Sequence, residues 1–355
     1  MRHLLNTTAD ELSAWLAQRG QPRYRGAQIR HWLFAGRARE LADMSDLPRT
    51  LRDELAADFQ LWTTQVTAHR TSDDGTEKLL LGLHDGNQIE CVLLRDGERR
   101  TICISTQVGC AMGCVFCASG MAGVARNLTT GEIVEQMLRL DRLLPDDERL
   151  SHIVVMGMGE PLANLDALLP ALELASASDG LGISPRRITI STVGLPQAIQ
   201  RLAERNARYN LAVSLHAPDD ELRNQLVKVN RQTGLAEIMA AADRYFDASG
   251  RRLTFEYVLL SGVNDSVDHA RRLAARIGRR TALLNVIPYN PVAELPYGTP
   301  SAGAVSRFVE TLRAAGINVF VRERKGDRID AACGQLRRAH SSAAPIVAGP
   351  AAGTS

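Results

Sequence analysis

The chain has 355 residues, and its 42 Lys and Arg side chains nearly balance 40 Asp and Glu, leaving a formal net charge of +2. This balance alone does not indicate a nucleic-acid partner, and a hydrophobic content of 45% suits a globular protein with one large or two smaller domains. No run of about 18 apolar residues occurs and the first residues lead into a polar segment, so we expect no membrane span and no signal peptide. We therefore expect a cytoplasmic protein, in which cysteines are reduced and serve metals or catalysis.

Residues 1–60 are predicted to form a small helical accessory domain. Apolar residues recur there at helical spacing in two stripes, Leu12, Trp15 and Leu16, then Ile29, Trp32 and Leu33. Residues 23–31 are basic with an interleaved aromatic, a pattern typical of an RNA contact, although a solvated helix face explains the same residues equally well.

Residues 61–95 are predicted to form a β-hairpin adapter, because the apolar period changes to two on both sides of an Asp85-Gly86 turn. In the second strand Glu90 points to the face opposite Cys91. Glu90 could face a catalytic cavity, but the strand pattern alone makes a solvent-facing carboxylate the default. For Cys91 we expect a half-buried strand position without a catalytic role.

From residue 96 to residue 338 the pattern alternates between strands and helices. Strands are predicted at 101–106, 152–156, 187–191, 210–215, 253–259, 282–287 and 317–321. A helix is predicted near Thr129, because Thr129 and Glu132 have the spacing of a capping box. Repeated βα units indicate an α/β fold with a parallel sheet and helices outside, and functional residues at the carboxyl ends of the strands.

A cysteine-rich loop follows the first of these strands. Cys110, Cys114 and Cys117 have the spacing Cys-x3-Cys-x2-Cys within a glycine-rich stretch, which suits a soft metal or an iron–sulfur cluster. A structural zinc site needs four ligands, and no second Cys-x2-Cys or His pair follows. Three ligands would instead leave one iron of a 4Fe-4S cluster free to bind a substrate or cofactor.

Polar residues stand at the ends of the later strands. They are Gly159 and Glu160 in the turn 157–161, Ser191, the run Ser214, Leu215 and His216, and Asn285. Each could be an ordinary residue at a strand end, but four such positions in register favour a shared ligand.

The segment after the last strand contains Cys333. This cysteine stands on a charged loop next to a glycine and not in an apolar run, so we do not expect it to be a core residue. Basic residues at 322, 324, 325, 328, 337 and 338 suit the binding of phosphates. Residues 339–355 are mostly small and turn-forming, so a disordered tail is predicted.

From about residue 12 to residue 336 the sequence resembles the radical S-adenosylmethionine (SAM) RNA methyltransferases of the RlmN type. The cysteine triad with Phe116 is the pattern of the superfamily, and residues 103–110 and 330–336 narrow the resemblance to this family. The resemblance implies a partial (βα)6 radical SAM barrel, which six βα units match better than an eight-stranded barrel, preceded by the helical accessory domain and the β-hairpin adapter.

The resemblance also implies roles for individual residues. Cys110, Cys114 and Cys117 would bind a 4Fe-4S cluster whose open iron chelates SAM, and SAM would be contacted by Gly159, Glu160, Ser191, Ser214, Leu215, His216 and Asn285. Cys333 would accept a methyl group from one SAM, and a second SAM would yield the radical that activates this methyl for addition to adenine. Cys103 would then release the product by forming a transient disulfide with Cys333, and Glu90 would take the proton from the adenine.

The implied substrate is carbon 2 of an adenosine in 23S rRNA, with an adenosine in the tRNA anticodon loop as a second target. An electron donor such as flavodoxin or ferredoxin is implied as a partner, and we expect a monomer. Thiolate chemistry at Cys333 and Cys103 requires lowered thiol pKa values or electropositive surroundings. Carbon 2 of a stacked base is reached only after unstacking or flipping.

Three alternatives remain open from the sequence. The sister activity on carbon 8 of the same ribosomal adenosine shares the cysteine layout. A different radical SAM enzyme has no evident need for Cys103 and Cys333. A zinc-stabilised RNA-binding protein is the alternative that is not an enzyme.

Overall fold

The computed structural model describes residues 1–205, 208–322 and 325–336. The predicted tail at 339–355 and the basic residues Arg324, Arg337 and Arg338 lie outside this part of the chain. Within it, no helix is both long enough and apolar enough to cross a membrane.

The N-terminal segment is helical, as predicted. A short strand β1 (Arg2–His3) is followed by α1 (Ala9–Ala17), α2 (Tyr24–Phe34) and α3 (Arg49–Asp58), and strand β2 (Phe59–Gln60) returns to pair in parallel with β1. The predicted apolar stripes of α1 and α2 are buried, except that Trp32 is only partly buried. The start and end of this segment are therefore held together by β1 and β2.

The predicted hairpin is present and belongs to a larger sheet. Strands β3 (Gln65–Thr71), β4 (Glu77–Gly82), β5 (Gln88–Asp96) and β6 (Arg99–Cys103) pair in an antiparallel series. Gly86 in the turn between β4 and β5 has a φ of 77°, which glycine adopts at low cost. Because β6 also pairs with the next parallel strand, the hairpin extends the main sheet.

The remaining strands form a small separate pair and the parallel part of the main sheet. A small antiparallel pair, β7 (Gln107–Gly109) with β8 (Val124–Asn127), comes first. The main sheet continues with β9 (His152–Val155), β10 (Ile188–Thr192), β11 (Asn210–Ser214), β12 (Leu253–Leu259), β13 (Ala282–Pro288) and β14 (Val319–Val321). Its order is β14-β13-β12-β11-β10-β9-β6-β5-β4-β3, with parallel pairing from β6 to β14. Each predicted strand is present within a few residues.

Helices connect the parallel strands. They are α4 (Thr130–Asp141), α5 (Leu165–Ser176), α6 (Pro196–Glu204), α7 (Asp220–Leu226), α8 (Leu235–Ser249), α9 (Val267–Ile277) and α10 (Ala302–Ala314). One continuous apolar cluster includes the N-terminal helices, the sheet and these helices except α7, whose Leu226 belongs to a smaller cluster with Phe116 and Tyr289. The observed α/β architecture agrees with the alternating pattern of the sequence.

Helix α4 lies between the sheet and the N-terminal segment. A side chain at Gly131 would place its Cβ 2.4 Å from Nδ1 of His3, so only glycine allows this approach. The buried Glu135 carboxylate accepts hydrogen bonds from the backbone amides of Thr63 and Thr64, each at 3.0 Å, and pairs with Arg139 at 2.9 Å. These contacts replace the water that a buried carboxylate loses.

Replacing Thr129 tests the predicted capping box at the start of α4. The Thr129 hydroxyl accepts a hydrogen bond from the Glu132 amide at 3.2 Å, and the Glu132 carboxylate accepts one from the Thr129 amide at 2.9 Å. We expect Thr129→Ala to lower the free energy of unfolding by about 1 kcal/mol, because one amide of the first turn loses its partner. Denaturant unfolding measures this loss. The control is Thr129→Ser, which keeps the hydroxyl; equal losses in both variants would contradict the capping role.

Candidate active site

A cavity of about 150 Å³ lies at the carboxyl ends of the parallel strands. It brings together residues that the sequence analysis selected from separate segments of the chain. These residues are Cys110, Cys114, Cys117, Gly159, Glu160, Ser191, Ser214, His216 and Cys333. Leu215 and Asn285 are not among the described residues that line it.

The loop that carries the cysteine triad is held by backbone contacts. The Cys110 amide donates to the Gly123 carbonyl at 2.9 Å, and a Cβ at Gly109 would lie 2.0 Å from that same oxygen. At the other side of the loop, the Val115 amide donates to the Leu226 carbonyl at the end of α7 at 3.0 Å. The three sulfurs are therefore presented by a loop fixed on both β8 and α7.

The donor set of this loop fits a 4Fe-4S cluster. Burial raises the pKa of the Cys110 thiol to about 12 and also raises those of Cys114 and Cys117. Thiolates in such a site are stabilised by coordination to iron. Among the described residues, no three or more His, Cys, Asp or Glu side chains are arranged to hold a single metal ion. In a 4Fe-4S cluster each thiolate ligates its own iron, so the fit depends on three cysteines lining one cavity.

The turn after β9 is built for close backbone approach. Gly159 has a φ of 104°, and a Cβ there would lie 2.7 Å from the Gln107 side chain. The buried Glu160 carboxylate accepts hydrogen bonds from the amides of Leu162 at 3.0 Å and Val193 at 2.9 Å. Burial raises the pKa of Glu160, and these amides oppose the shift. Glu160 thus joins the end of β9 to the end of β10.

His216 lines the cavity in a constrained backbone conformation. Its φ of 59° lies in the left-handed region, which costs energy for a residue other than glycine. Its Nδ1 atom accepts a hydrogen bond from the Val258 amide at 3.1 Å, and its ring meets Phe116 edge-to-face at 4.9 Å. Burial lowers the pKa of His216 to about 3, so the imidazole is neutral at pH 7.

A buried arginine ties the strand ends together beside His216. The Arg223 guanidinium donates hydrogen bonds to the carbonyls of Val193, Ser214 and Leu215. The Leu215 side chain is fully buried, so this predicted residue supports the strand end and does not line the cavity.

The last predicted strand-end residue lies beside the cavity, and two neighbours take its place in the lining. Asn285 donates to the Glu256 carboxylate at 3.0 Å across the β12–β13 pair. Glu256 itself and Asn290, five residues after Asn285, line the cavity. The side-chain Nδ2 of Asn290 donates a hydrogen bond to the Cys333 carbonyl at 3.2 Å. The Tyr289-Asn290 pair directly after β13 could have indicated Asn290 from its place at the strand end, whereas no local pattern distinguished Glu256 within its strand.

A second cavity, of about 280 Å³, adjoins the first. The two share described lining residues, which are Met156, Ile287, Asn290, Arg322 and Cys333. The lining of the second cavity also includes residues that the first cavity lacks, among them Cys103, Arg99, Phe320 and Lys325. Cys333 therefore lies at the junction between the cysteine-triad cavity and a cavity that contains Cys103 and cationic side chains.

The environment of Cys103 agrees with the prediction in part. Burial raises the pKa of its thiol to about 12, so of the two conditions expected for thiolate chemistry, a lowered pKa or electropositive surroundings, the first is not met at this residue. The predicted electropositive contact is present, because the guanidinium of Arg322 lies near Cys103 and Cys333 and opposes the shift. All six cysteines are free thiols, so the expected Cys103–Cys333 disulfide is not formed in this structure. Cys91, predicted as half-buried, is fully buried.

The environment of Glu90 also corrects the sequence pattern. The solvent-facing default is wrong, since Glu90 is buried and its Oε1 lies 2.8 Å from Nζ of Lys78. Lys78 pairs with Val92 across β4 and β5, and Val92 pairs with Cys103 across β5 and β6. With side chains alternating along each strand, Lys78, Glu90 and Cys103 share one face of the sheet. Glu90 is not among the described lining of either cavity.

The basic segment at 23–31 lies at the start of and along α2. Tyr24 is 57% exposed, and Arg25 stacks over its ring at 5.0 Å. Arg25 also donates to Gln28, and Arg30 pairs with Asp179 at 2.6 Å. Internal partners thus engage part of the predicted basic surface.

Comparison with known proteins agrees with this arrangement. Residues 104–274 match the family model of the radical SAM superfamily, and residues 2–61 match that of the ribosomal RNA large subunit methyltransferase N-terminal domain. A relative from Rhodopirellula baltica, described as a probable dual-specificity RNA methyltransferase RlmN, is 62% identical over 336 residues, covering 95% of this chain and 91% of the relative. A relative from Geobacillus kaustophilus with the same description is 44% identical over 335 residues, covering 94% of this chain and 92% of the relative.

A solved structure shows the same fold. The crystal structure of a radical SAM methyltransferase from Sphaerobacter thermophilus superposes with a TM-score of 0.92 at 45% identity, covering 95% of this chain and 99% of that one. The predicted radical SAM fold is therefore confirmed, and the superfamily implies SAM and a 4Fe-4S cluster as cofactors. With such identity over nearly its whole length, the chain belongs to the RlmN-type family of radical SAM RNA methyltransferases.

Proposed function

We propose that this protein methylates carbon 2 of an adenosine in 23S rRNA, and of an adenosine in the tRNA anticodon loop, through a methyl group carried on Cys333. The position of Cys333 carries the proposal, because it lines both the cavity of the cysteine triad and the cavity of Cys103. A sulfur at this junction can receive a methyl group on one side and deliver it on the other.

The residues of the first cavity would bind the cofactors. Cys110, Cys114 and Cys117 would hold the cluster, which supplies the electron that cleaves SAM when bound. Gly159, Glu160, Ser191, Ser214 and His216 line the same cavity and would bind SAM. Leu215 and Asn285 support neighbouring strand ends through the contacts described above. We propose reduced flavodoxin or ferredoxin as the class of electron donor.

The cysteines of the second cavity would carry out the transfer. Cys333 would attack the methyl group of one SAM, which leaves as S-adenosylhomocysteine. The radical formed from a second SAM would take a hydrogen atom from that methyl, and the resulting carbon radical would add to carbon 2 of the adenine. The adduct would lose one electron to the bound cluster and the carbon-2 proton to Glu90. Cys103 would then attack the sulfur of Cys333, so that a disulfide forms, the carbon–sulfur bond breaks with its electron pair left on carbon, and that carbon takes up a proton to become the methyl group. Arg322 lies near both sulfurs and opposes the rise that burial causes in the pKa of Cys103.

The second cavity is also suited to an unstacked nucleotide. Phe320 on β14 is 54% exposed and offers a ring for a base to stack on, while Arg99 can contact the backbone phosphates. Lys325 also lines this cavity, where its ammonium pairs with Asp96 at 2.9 Å. We further propose that residues 1–60 contact the RNA around the target, with exposed Tyr24 as a stacking surface.

Labelled SAM tests the proposed route. Anaerobically reconstituted protein would receive SAM with a fully deuterated methyl group and 23S rRNA lacking the modification, and the digested nucleosides would be analysed by mass spectrometry. We expect carbon-2 methyladenosine that has lost one methyl deuterium, because a hydrogen is abstracted before transfer. Carbon-8 methyladenosine would assign the sister activity, and an intact trideuteromethyl group would contradict the Cys333 route. Unmodified anticodon stem-loop RNA tests the tRNA target in the same assay.

Replacing Cys333 tests whether its sulfur carries the methyl group, without disturbing the fold or the cysteine triad. We expect Cys333→Ala to form no methylated nucleoside while it still binds iron and sulfide, because the methyl acceptor is lost and the cysteine triad is retained. The matched control is Cys91→Ala, which removes a buried thiol outside both described cavity linings and should retain methylation. Full methylation by Cys333→Ala would exclude the mechanism.

Replacing Phe320 tests the proposed nucleotide cavity. We expect Phe320→Ala to raise KM for the RNA by about tenfold, because stacking of a base on an aromatic ring contributes roughly 1–3 kcal/mol. Steady-state kinetics on a stem-loop substrate measures this change. Phe320→Tyr keeps the ring and should retain the original KM, whereas an unchanged KM in Phe320→Ala would place the base elsewhere.

A further inference from the structure

Lys78 is a buried cation with two partners in different parts of the fold. Its Nζ atom lies 2.8 Å from Oε1 of Glu90 and donates a hydrogen bond to the carbonyl of Asp330 at 2.9 Å. The Lys78 and Glu90 side chains are 6% and 9% exposed. A buried ammonium is costly unless it is paired and hydrogen-bonded, so both contacts contribute to keeping Lys78 in place.

The carbonyl that Lys78 holds belongs to the loop of Cys333. Asp330 precedes Cys333 by three residues and has a φ of 53°, in the left-handed region. Asp tolerates this region better than most residues, but the conformation still has to be held by surrounding contacts. The hydrogen bond from Lys78 fixes the direction of the Asp330 carbonyl and so acts on the path of the chain toward Cys333.

The turn between β3 and β4 contacts the same loop at a second position, nearer the surface. The Gly326 amide donates to the Asp74 carboxylate at 2.9 Å, and a Cβ at Gly326 would lie 2.8 Å from the Thr76 side chain. Arg328 pairs with Asp73 at the surface, where both side chains are mostly exposed. Exposed pairs contribute little, so the inner contact from Lys78 matters more than the Arg328 pair for the position of Cys333.

We propose that Lys78 is a positioning residue that couples Glu90 to the Cys333 loop, because its single ammonium group binds both the Glu90 carboxylate and the Asp330 carbonyl. When the ammonium loses one of these two partners, its contact with the other becomes weaker. The role assigned to Glu90 rests on the proposed function, whereas the hold on the Cys333 loop does not depend on it.

The reactivity of Cys333 toward iodoacetamide tests the coupling without measuring methylation. On reconstituted protein, peptide mass spectrometry would follow alkylation of Cys333. We expect Lys78→Met to raise its rate by about tenfold, because a hydrogen bond from a charged donor shifts a local opening equilibrium by that order. Glu90→Gln should raise the rate in the same direction by about threefold, because the ammonium loses its charged partner. Arg328→Met is the matched control and should change the rate by less than about twofold.

The outcomes distinguish the two levels of the proposal. An unchanged rate in Lys78→Met overturns it, and a raised rate in Lys78→Met with an unchanged rate in Glu90→Gln reduces Lys78 to an anchor of the loop and overturns the coupling. If Lys78→Met does not fold, Glu90→Gln carries the test alone, since it must still loosen Cys333. A raised rate in both variants supports the coupling even if the RNA product contradicts the proposed function.

Steady-state kinetics adds a measurement that general destabilisation would not mimic. We expect Lys78→Met to lower kcat and to leave KM for the RNA within about twofold, because Lys78 is not among the described lining of the second cavity. Lys78→Arg keeps the charge and should recover most of kcat. Equal losses of kcat in the Met and Arg variants would contradict a role for the charge.

Discussion

Parallel pairing of the strands from β6 to β14 is the constraint on which the active site depends. Parallel strands end at the same edge of a sheet, so side chains far apart in the sequence meet there without any local signal between them. Ser191, Ser214 and Glu256 reach one cavity in this way. At the ends of β10 and β11, Arg223 donates hydrogen bonds to three backbone carbonyls with one buried guanidinium.

The antiparallel extension of the sheet places further residues beside the second cavity. Strands β4 and β5 continue the sheet beyond β6, and their side chains place Lys78 and Glu90 on the face that also carries Cys103. The same strands contact the loop of residues 325–336, which carries Cys333, through Lys78 on β4 and through Arg95 and Asp96 on β5. One continuous sheet thus relates the cofactor-binding edge to the residues proposed for methyl transfer.

Burial is the common physical condition of the reactive groups. It raises the pKa values of the Cys103 and Cys110 thiols and of the Glu256 carboxyl, and it lowers that of His216. Each of these four groups therefore favours its neutral form. Arg322, which lines both cavities, opposes the shifts of Cys103 and Glu256, and this links the two cavities electrostatically as well as through their shared lining.

Local patterns in the sequence determined much of this protein. Three features could be predicted because each is defined by residues close together in the chain. They are the spacing of Cys110, Cys114 and Cys117, the capping box at Thr129, and the alternation of strands and helices. Only the tertiary structure decided that Glu90 is buried against Lys78, that Asn290 rather than Asn285 lines the cavity, and that the Cys103 thiol has a raised pKa. Each of these depends on contacts between distant segments, because burial and pairing are set by what packs against a strand and not by the strand's own residues.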